Sequence, residues 1–342
     1  MRKIKILGVY KWATMGGVER VLLNRAHAIQ ENNLNIQYDI YYFFDSGGRE
    51  EFDNYLIRNN LSDIMKTVDQ IDSYKYDFVL SIDTPEILDF VEPEKLYMEC
   101  HTSYKKNRSY LKSLPASIKG IVVPSEQFKE ELQGELSTEN KNKLVVVSNS
   151  VFIKKSNQIS DAIIYSKTPI LYVGRLDILK NIEELVEVVS LYNTNIEDDL
   201  FLILAGPIIE HEINLKEILT KHRLLHRTIY LPPVSFDKVW DLLRIVKDHR
   251  GIFMSASKKE SFGLAVAEAM KMGLPVLAFD NVAHRHLLKD NDNYLFDAKQ
   301  GSVTIEKMGN ILKHYEDSAE EVERYSLSLE KEFIEQWMAL FN

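Results

Sequence analysis

The stretch that decides the fold is residues 251–280, GIFMSASKKESFGLAVAEAMKMGLPVLAFD. Its first apolar run, 251–257, predicts a strand, and the charged and polar residues after it predict a loop. Residues 264–272 are apolar on nearly every face, which is typical of a helix packed inside a layered α/β domain. Gly273 stands where a helix commonly ends, and Pro275 opens the next apolar run. The stretch therefore predicts strand, ligand loop, buried helix and strand.

Two carboxylates in this stretch indicate a binding site. Glu268 falls inside the apolar helix, where a buried carboxylate costs several kcal/mol unless a group such as a ribose diol hydrogen-bonds it. Glu260 stands at the edge of the loop before the helix. Between the two, a helix N-terminus would offer free backbone N–H groups to a phosphate or sugar, from Ser261, Phe262, Gly263 and Leu264. The residues alone also allow Glu268 to pair with a structural cation and Glu260 to be merely exposed.

A cationic pair follows another predicted strand, at 169–173. Gly174 and Arg175 come directly after that strand, and Lys180 stands just before a predicted helix. Arginine offers a fork to phosphate oxygens and lysine a mobile charge, so the two would form a phosphate clamp. Ordinary surface cations are the alternative. A further predicted strand, 200–204, ends in a turn at Gly206.

The first half of the chain has its own strand ends. Residues 4–10 alternate as a strand, and Gly16 and Gly17 separate it from a helix. Two glycines permit positive φ angles and close approach of a ligand to the backbone, although a plain strand-to-helix turn is the alternative. There is no GxGxxG and no Walker lysine pattern, which disfavours dinucleotide and P-loop sites.

His101 directly follows a predicted strand, 96–100. Strands alternate with helices here, which indicates a parallel sheet whose ligands gather at the carboxyl ends of the strands. A lone histidine is more often structural, but its place makes His101 a candidate. The next stretch, 104–112, is basic and aromatic, with cations at Lys105, Lys106, Arg108 and Lys112. It is either a solvated helix face or a surface for an anionic membrane or a lipid-diphosphate acceptor.

Size and composition set outer limits. The 342 residues suit two domains, with 45% apolar and 27% charged residues and a net charge of −9. That charge argues against general nucleic-acid binding, and the single cysteine, Cys100, fits a reducing cytoplasm. No apolar run is long enough to span a membrane. The triplet 290–292, Asp-Asn-Asp, is interpreted as a turn, and the histidines are scattered, so no metal site is expected.

The glutamate pattern, Glu260-x7-Glu268 with SFGLAVA between and EAMKMGLPV around its end, resembles the signature of retaining GT-B glycosyltransferases. The family is glycosyltransferase family 4, group 1, which includes sucrose synthase and bacterial capsule and lipopolysaccharide enzymes. GGVER at 16–20 and GRL-x3-KN at 174–181 resemble the same family. The chain departs from it at 147–151 and at 281–285, where NVAHR replaces the usual glycine pair and glutamate.

The resemblance implies an α/β fold of two Rossmann-like β/α/β domains facing each other across a deep cleft. We expect an N-terminal acceptor-side domain at 1–153, a linker at 154–168 and a donor domain at 169–325. The final helix, 326–342, is expected to pack back on the first domain, with a membrane-surface helix as the alternative.

The same resemblance assigns roles to residues. A hexose or N-acetylhexosamine would pass from a nucleotide-diphosphate sugar, with UDP as the expected nucleotide, to a sugar or lipid-linked acceptor in bacterial surface polysaccharide synthesis. Glu268 would hold the ribose and Glu260 the donor sugar hydroxyls. The implied catalytic residues are Arg175, Lys180, Glu260 and His101. The implied donor site also includes Gly16, Gly17, Gly174, Gly206 and the 261–264 loop.

No cofactor and no metal are expected besides the nucleotide sugar. The expected location is the cytoplasm, with contact at the inner membrane surface as a further expectation. Two other functions stay open. One is a catalytically silent nucleotide-sugar-binding partner of another glycosyltransferase, and the other is a GT-B nucleotide-sugar epimerase.

Overall fold

The computed structural model describes residues 2–154, 167–197, 199–297 and 299–341. The chain forms two compact units, which we call unit 1 (Met1–Phe152 with Leu329–Asn342) and unit 2 (Ile153–Ser328). The linker predicted at 154–168 falls almost wholly outside the described residues. The domain boundaries expected from the sequence stay a prediction.

Unit 1 is built on a parallel sheet, in which seven strands can be described in the order β3-β2-β1-β4-β5-β6-β7. Strands buried on both faces read as apolar runs rather than strict alternation, as β6 (GIVV) does. The strands are β1 (Ile4–Ala13), β2 (Ile36–Asp45), β3 (Met65–Val68), β4 (Phe78–Ile82), β5 (Leu96–Glu99), β6 (Gly120–Val123) and β7 (Leu144–Val146).

Helices cover this sheet. The α-helices are α1 (Gly17–Glu31), α2 (Arg49–Arg58), α3 (Glu126–Leu132) and α4 (Thr138–Lys141). Short 3-10 helices lie at Ser73–Lys75, Pro85–Asp89, Pro93–Lys95, Lys105–Ser113 and Gln133–Glu135.

Unit 2 repeats the design. Its sheet, over the residues described, has the order β10-β9-β8-β11-β12-β13, and every described pairing is parallel. The strand order reverses between β8 and β11: successive strands are added on one side of β8 and then, from β11 onwards, on the other. Ligands of such sheets bind outside the carboxyl ends of the strands at this point. The strands are β8 (Thr168–Val173), β9 (Leu200–Ala205), β10 (Thr228–Leu231), β11 (Ile252–Ser255), β12 (Val276–Phe279) and β13 (Leu295–Phe296).

The helices of unit 2 alternate with those strands. They are α5 (Ile182–Asn195), α6 (Leu215–Lys221), α7 (Phe236–Asp248), α8 (Leu264–Met272), α9 (Val282–Leu287) and α10 (Gly301–Lys313), followed by α11 (Tyr315–Ala339), whose last turns belong to unit 1. Two 3-10 helices lie at Leu225–Arg227 and Asp292–Tyr294.

The stretch 251–280 folds in the predicted order: β11, loop, α8, β12. Glycines with positive φ bound the helix, Gly263 at +93° before it and Gly273 at +70° after it. Beyond the helix end, Leu274 donates its N–H to the carbonyl of Ala269, which satisfies a carbonyl left free by the last turn. Both conformations favour glycine, so the sequence itself sets the length of α8.

Candidate active site

Two strand-end loops touch at the carboxyl edge of the unit 2 sheet. Gly174 follows β8 with φ +152°, and Gly206 follows β9 with φ +140°. A Cβ on Gly206 would lie only 2.0 Å from the carbonyl oxygen of Gly174. The hydroxyl of Tyr172 donates to the carbonyl of Arg175 at 2.7 Å. These contacts fix where the β8–α5 loop, with its two cations, leaves the sheet.

Asp177 organises that loop, a role that the sequence analysis missed. Its side chain is buried, and Oδ1 accepts the backbone N–H of Lys180 at 2.8 Å. Its Oδ2 lies 3.3 Å from Nη2 of Arg175, whose side chain is about half exposed. One carboxylate therefore places both cations of the predicted clamp. The sequence signal for this role of Asp177 was its place between the two cations in GRLDILKN, residues 174–181.

Lys180 and Glu260 form an ion pair, with Nζ 2.5 Å from Oε1. Both side chains are largely buried, so the sequence-predicted clamp and the sequence-predicted loop carboxylate meet in unit 2. Burial acts to raise the pKa of Glu260, but the charge of Lys180 and hydrogen bonds from Lys180 and Ser257 outweigh it and hold that pKa below its ordinary value. Glu260 is thus an ionised acceptor beside an ammonium group.

The segment after Glu260 turns into the N-terminus of α8. Phe262 is buried, and the carbonyl of Gly263 accepts the N–H of Ala267 at 3.0 Å to close the first helical turn. Ser261 and Leu264 are half-buried. Glu268, one turn further, is fully buried, as the apolar context predicted. The arrangement puts a helix N-terminus and a buried carboxylate on the same helix as expected, while their ligand roles stay a prediction.

His284 is a second residue that the sequence analysis did not select. It lies on α9, which follows β12, and is fully buried. Its Nδ1 lies 2.7 Å from the carbonyl oxygen of Phe279. Burial is the main reason that its pKa lies below the ordinary value, with Glu260 opposing this. The replacement of the family's usual glycine pair by NVAHR was the available signal.

The glycine pair of unit 1 lies where the turn after β1 leads into α1. Neither Gly16 nor Gly17 has a positive φ, and the left-handed residue of the turn is Met15, with φ +57°. Glu19 explains the geometry, because its buried carboxylate accepts the backbone N–H groups of Thr14 and Gly16, each at 2.8 Å. The positive φ that these glycines permit is therefore not used at either position, and their role in the donor site stays a prediction. The N–H of Gly16 is already used inside the protein, and Gly17 has open space at its Cα.

His101 lies at the end of β5, as predicted, and is held by a buried carboxylate. Its Nε2 lies 3.1 Å from Oε2 of Glu99, which also receives a two-pronged pair from Arg25 at 2.8 and 2.6 Å. Burial alone would raise the pKa of Glu99, yet Arg25 and His101 lower it to about 2. Residues two apart on a strand point to the same face. The order Glu99-Cys100-His101 could therefore have predicted that the glutamate and the histidine pair.

The basic patch needs one correction. Lys105, Lys106 and Lys112 are exposed on the 3-10 segment Lys105–Ser113, but Arg108 is 1% exposed. Its guanidinium binds Glu135 at 2.8 and 2.9 Å and Glu131 at 2.6 Å. A buried charge requires such partners. Arg108 is therefore a structural cation, and the surface patch consists of the three lysines.

The Asp-Asn-Asp triplet forms a turn, as interpreted from the sequence. Asn291 caps the short 3-10 helix Asp292–Tyr294. Arg285 pairs with Asp280 through two 2.5 Å contacts and lies 3.3 Å from Asp292. Among the described residues, no group of three or more His, Cys, Asp or Glu is arranged to hold a metal ion. The expectation of a metal-free reaction stays a prediction.

Comparison with known proteins decides the family. The family model for glycosyl transferases group 1 matches residues 153–326, about half of the chain. The chain belongs to the group 1 glycosyl transferases. Among the relatives of this transferase are a sucrose synthase from Melioribacter roseus and a probable sucrose-phosphate synthase from Thermosipho melanesiensis. The first is 31% identical over 166 residues, 45% of this chain and 21% of that protein. The second is 29% identical over 208 residues, 55% of this chain and 48% of that protein.

Solved structures show the fold of the transferase. Anabaena HepE in complex with UDP-glucose has a TM-score of 0.75 at 14% identity, covering 99% of this chain and 98% of that one. S. aureus TarM, solved with UDP and α-GlcNAc-glycerol, has a TM-score of 0.72 at 13% identity, covering 99% and 100%. The fold is GT-B, with two Rossmann-like units. By contrast, the chain spans between a fifth and a half of the length of the curated relatives named above.

No helix in the described part of the transferase combines the length and apolarity needed to cross a membrane.

Proposed function

We propose that this transferase moves a hexose or N-acetylhexosamine from a nucleotide-diphosphate sugar, with UDP as the nucleotide, to a glycan or lipid-linked glycan. The observation that carries the proposal is the pairing of Lys180 with Glu260 beside the N-terminus of α8. A cation suits a diphosphate, and an ionised carboxylate suits sugar hydroxyls. The complexes of HepE with UDP-glucose and of TarM with UDP support the choice of nucleotide.

We assign each of the site residues of unit 2 a separate role in binding or catalysis. Arg175, placed by Asp177, and Lys180 neutralise the negative charge that builds on the diphosphate as it leaves, helped by N–H groups near Gly263. Glu268 accepts hydrogen bonds from the ribose hydroxyls. Glu260 accepts from hydroxyls of the donor sugar. Cations and amide groups fixed in place before the reaction stabilise the leaving group without reorganisation.

The proposed stereochemistry is retention. The bond between the anomeric carbon and the diphosphate oxygen breaks, and the acceptor oxygen bonds to that carbon on the same face. The acceptor proton passes to the departing phosphate oxygen, so no protein base is needed. In unit 1, Glu99 would fix the orientation of His101, the residue of that unit to which we assign a part in catalysis.

The wider role we propose is the synthesis of bacterial surface polysaccharide on the cytoplasmic face of the membrane. Two observations support it. The likeness to WaaG, a glycosyltransferase involved in lipopolysaccharide biosynthesis, extends over 96% of this chain at a TM-score of 0.64. The exposed lysines Lys105, Lys106 and Lys112 provide a local positive surface on an acidic protein.

A binding panel tests the donor proposal. UDP, GDP, ADP and their sugars are compared for thermal stabilisation of the wild type, since a ligand that binds only the native state raises the melting temperature. We expect UDP and a UDP-sugar to stabilise it. Lys180→Ala should weaken UDP binding about 10- to 100-fold, because a charge-assisted hydrogen bond is lost. Lys216→Ala, an exposed lysine on α6, is the matched control and should bind as the wild type does.

Product analysis tests the chemistry. With a glycan acceptor, NMR of the product should show the anomeric configuration of the donor sugar. Inversion would exclude the proposed stereochemistry. Binding without transfer to any acceptor would favour a silent nucleotide-sugar-binding partner, and epimerised nucleotide sugar formed without acceptor would favour an epimerase.

A further inference from the structure

The imidazole of His284 is held in one orientation by the backbone around it. Nδ1 lies 2.7 Å from the carbonyl oxygen of Phe279, which can only accept a hydrogen bond, and 2.9 Å from Nδ2 of Asn281, which can only donate one. Because the carbonyl contact is the shorter and Nδ2 of Asn281 already has an acceptor in the carbonyl of Ser257, we assign the proton to Nδ1. Asn281 fixes the helix that carries the ring. Its Oδ1 accepts the N–H of His284 at 2.9 Å, and its Nδ2 donates to the carbonyl of Ser257 at 2.7 Å. The ring is thereby tied to the loops that follow β11 and β12.

This orientation leaves a bare acceptor inside unit 2. With the proton on Nδ1, the neutral ring carries a lone pair at Nε2. That atom is buried and has no hydrogen-bond partner among the described residues. Most buried polar atoms in proteins have a partner, so an exception calls for a reason.

The unpartnered atom faces the proposed donor site. A Cβ built on Gly263 would lie 3.4 Å from Cδ2 and 3.7 Å from Nε2 of His284. The Nε2 edge of the ring therefore lies against the glycine that begins α8. Glu260 and Lys180 are near enough for their charges to act on the ring. His284 shares its surroundings with the carboxylate that the proposed function assigns to the donor sugar.

We propose that His284 is a specificity-determining residue for the donor sugar. Its Nε2 accepts a hydrogen bond from one sugar hydroxyl, beside the hydroxyls that Glu260 binds. The inference rests on the proposed function. The lone pair on Nε2 can accept a hydrogen bond from a hydroxyl but repels a phosphate oxygen. His284 should therefore affect binding of the sugar and not of the diphosphate. Because Nε2 has almost no accessible surface, binding includes a small shift of the loop at Gly263.

Calorimetric titration separates the two parts of the ligand. The probes are UDP, the UDP-hexose that most stabilises the wild type, and the four monodeoxy forms of that hexose. His284→Leu removes the acceptor but keeps apolar bulk, and the Phe279 carbonyl keeps its bond from the N–H of Asn281. His284→Gln keeps an acceptor at about the same depth. His286→Leu, on the same helix, is the matched control.

We expect His284→Leu to bind UDP within about twofold of the wild type and to lose about fivefold to tenfold in affinity for the UDP-hexose, the worth of one hydrogen bond. His284→Gln should recover part of the loss, and His286→Leu should lose nothing. One monodeoxy sugar should bind the wild type about fivefold to tenfold more weakly than the parent. The same deoxygenation should cost the leucine variant nothing further.

Several results would overturn the inference. Equal losses for UDP and the UDP-hexose would show a structural role, and unchanged sugar affinity would show no role. If His284→Leu does not fold, the monodeoxy sugars are compared on the wild type and on His284→Gln instead. The assignment is rejected if none of the monodeoxy sugars binds the wild type more weakly than the parent sugar does. A wild type that binds UDP-hexose normally while the inference fails leaves the proposed function standing. A wild type that binds no nucleotide sugar rejects both.

Discussion

At the scale of single residues, Gly206 controls how closely the two strand-end loops of unit 2 approach. The residue has φ +140°, and the carbonyl of Gly174 occupies the place that a side chain would need. Its own carbonyl accepts the hydroxyl of Tyr230 at 3.0 Å. The position of Arg175 and Lys180 therefore depends in part on Gly206, which is distant from both in sequence.

Gly206→Ala should be strongly destabilising. Backbone strain at this φ and overlap with a backbone carbonyl should together lower the free energy of unfolding by about 3 kcal/mol or more. Urea unfolding followed by circular dichroism measures the change. Gly134→Ala is the control, since a Cβ there meets nothing within 4 Å, and it should change stability by less than about 1 kcal/mol. A loss below about 1 kcal/mol at Gly206 would contradict the close contact.

Patterns in the sequence predicted where a side chain lies in the fold better than they predicted which groups it binds. The apolar neighbours of Glu268 showed that it is buried, and the strand before His101 showed its place. The partners of Glu260, Arg108 and Gly16 were not apparent, because they depend on side chains from distant or differently turned segments. Arg108 finds two glutamates about 25 residues further along the chain, and no local pattern distinguishes it from the exposed lysines beside it.

At the scale of elements, the 3-10 segment Lys105–Ser113 presents only part of its charge to solvent. Arg108 and Leu111 point into unit 1, while Lys105, Lys106 and Lys112 are exposed. Any membrane attraction through this segment must therefore come from three lysines, each worth about 1 kcal/mol near an anionic surface.

Changing Lys105, Lys106 and Lys112 together to glutamine should weaken binding to vesicles containing phosphatidylserine. The expected loss is about tenfold or more at low salt, and the wild-type affinity should itself fall as salt rises. Vesicle co-sedimentation measures both. The control replaces the exposed lysines Lys216, Lys299 and Lys313 of unit 2 and has the same net charge. Equal binding by the two triple variants would remove the membrane surface from the proposed role.

Elements whose ends carry their own signals could be predicted closely. Helix α8 begins and ends at glycines that the backbone requires, and its order with β11 and β12 was correct. The segment 104–113 gave no comparable signal, because its polar residues fit a solvated helix as well as the short 3-10 turns observed. Where local conformation is set by a buried ion pair rather than by periodicity, the sequence offered little guidance.

At the scale of the whole molecule, the chain ends in the unit where it began. The last turns of α11 bury Phe333 and Trp337 within unit 1. The Trp337 ring lies 5.7 Å from that of Tyr38, and the hydroxyl of Tyr97 donates to the carbonyl of Leu340 at 2.8 Å. The aromatic residues at the end of the sequence fitted either a membrane-surface helix or a buried surface, and only the family resemblance favoured packing on the first domain.

Trp337→Ala should therefore destabilise unit 1, the unit against whose core the ring packs. Removing this fully buried ring should cost about 3–5 kcal/mol, since it leaves a cavity among Tyr38, Phe333 and Phe341. Urea unfolding with intrinsic fluorescence and circular dichroism measures it. Glu335→Ala is the control, because this exposed residue on the same turn makes only a weak pair with Lys331 and should cost about 0.5 kcal/mol or less. Similar stability of the two variants would show that the end of α11 contributes little to the core of unit 1.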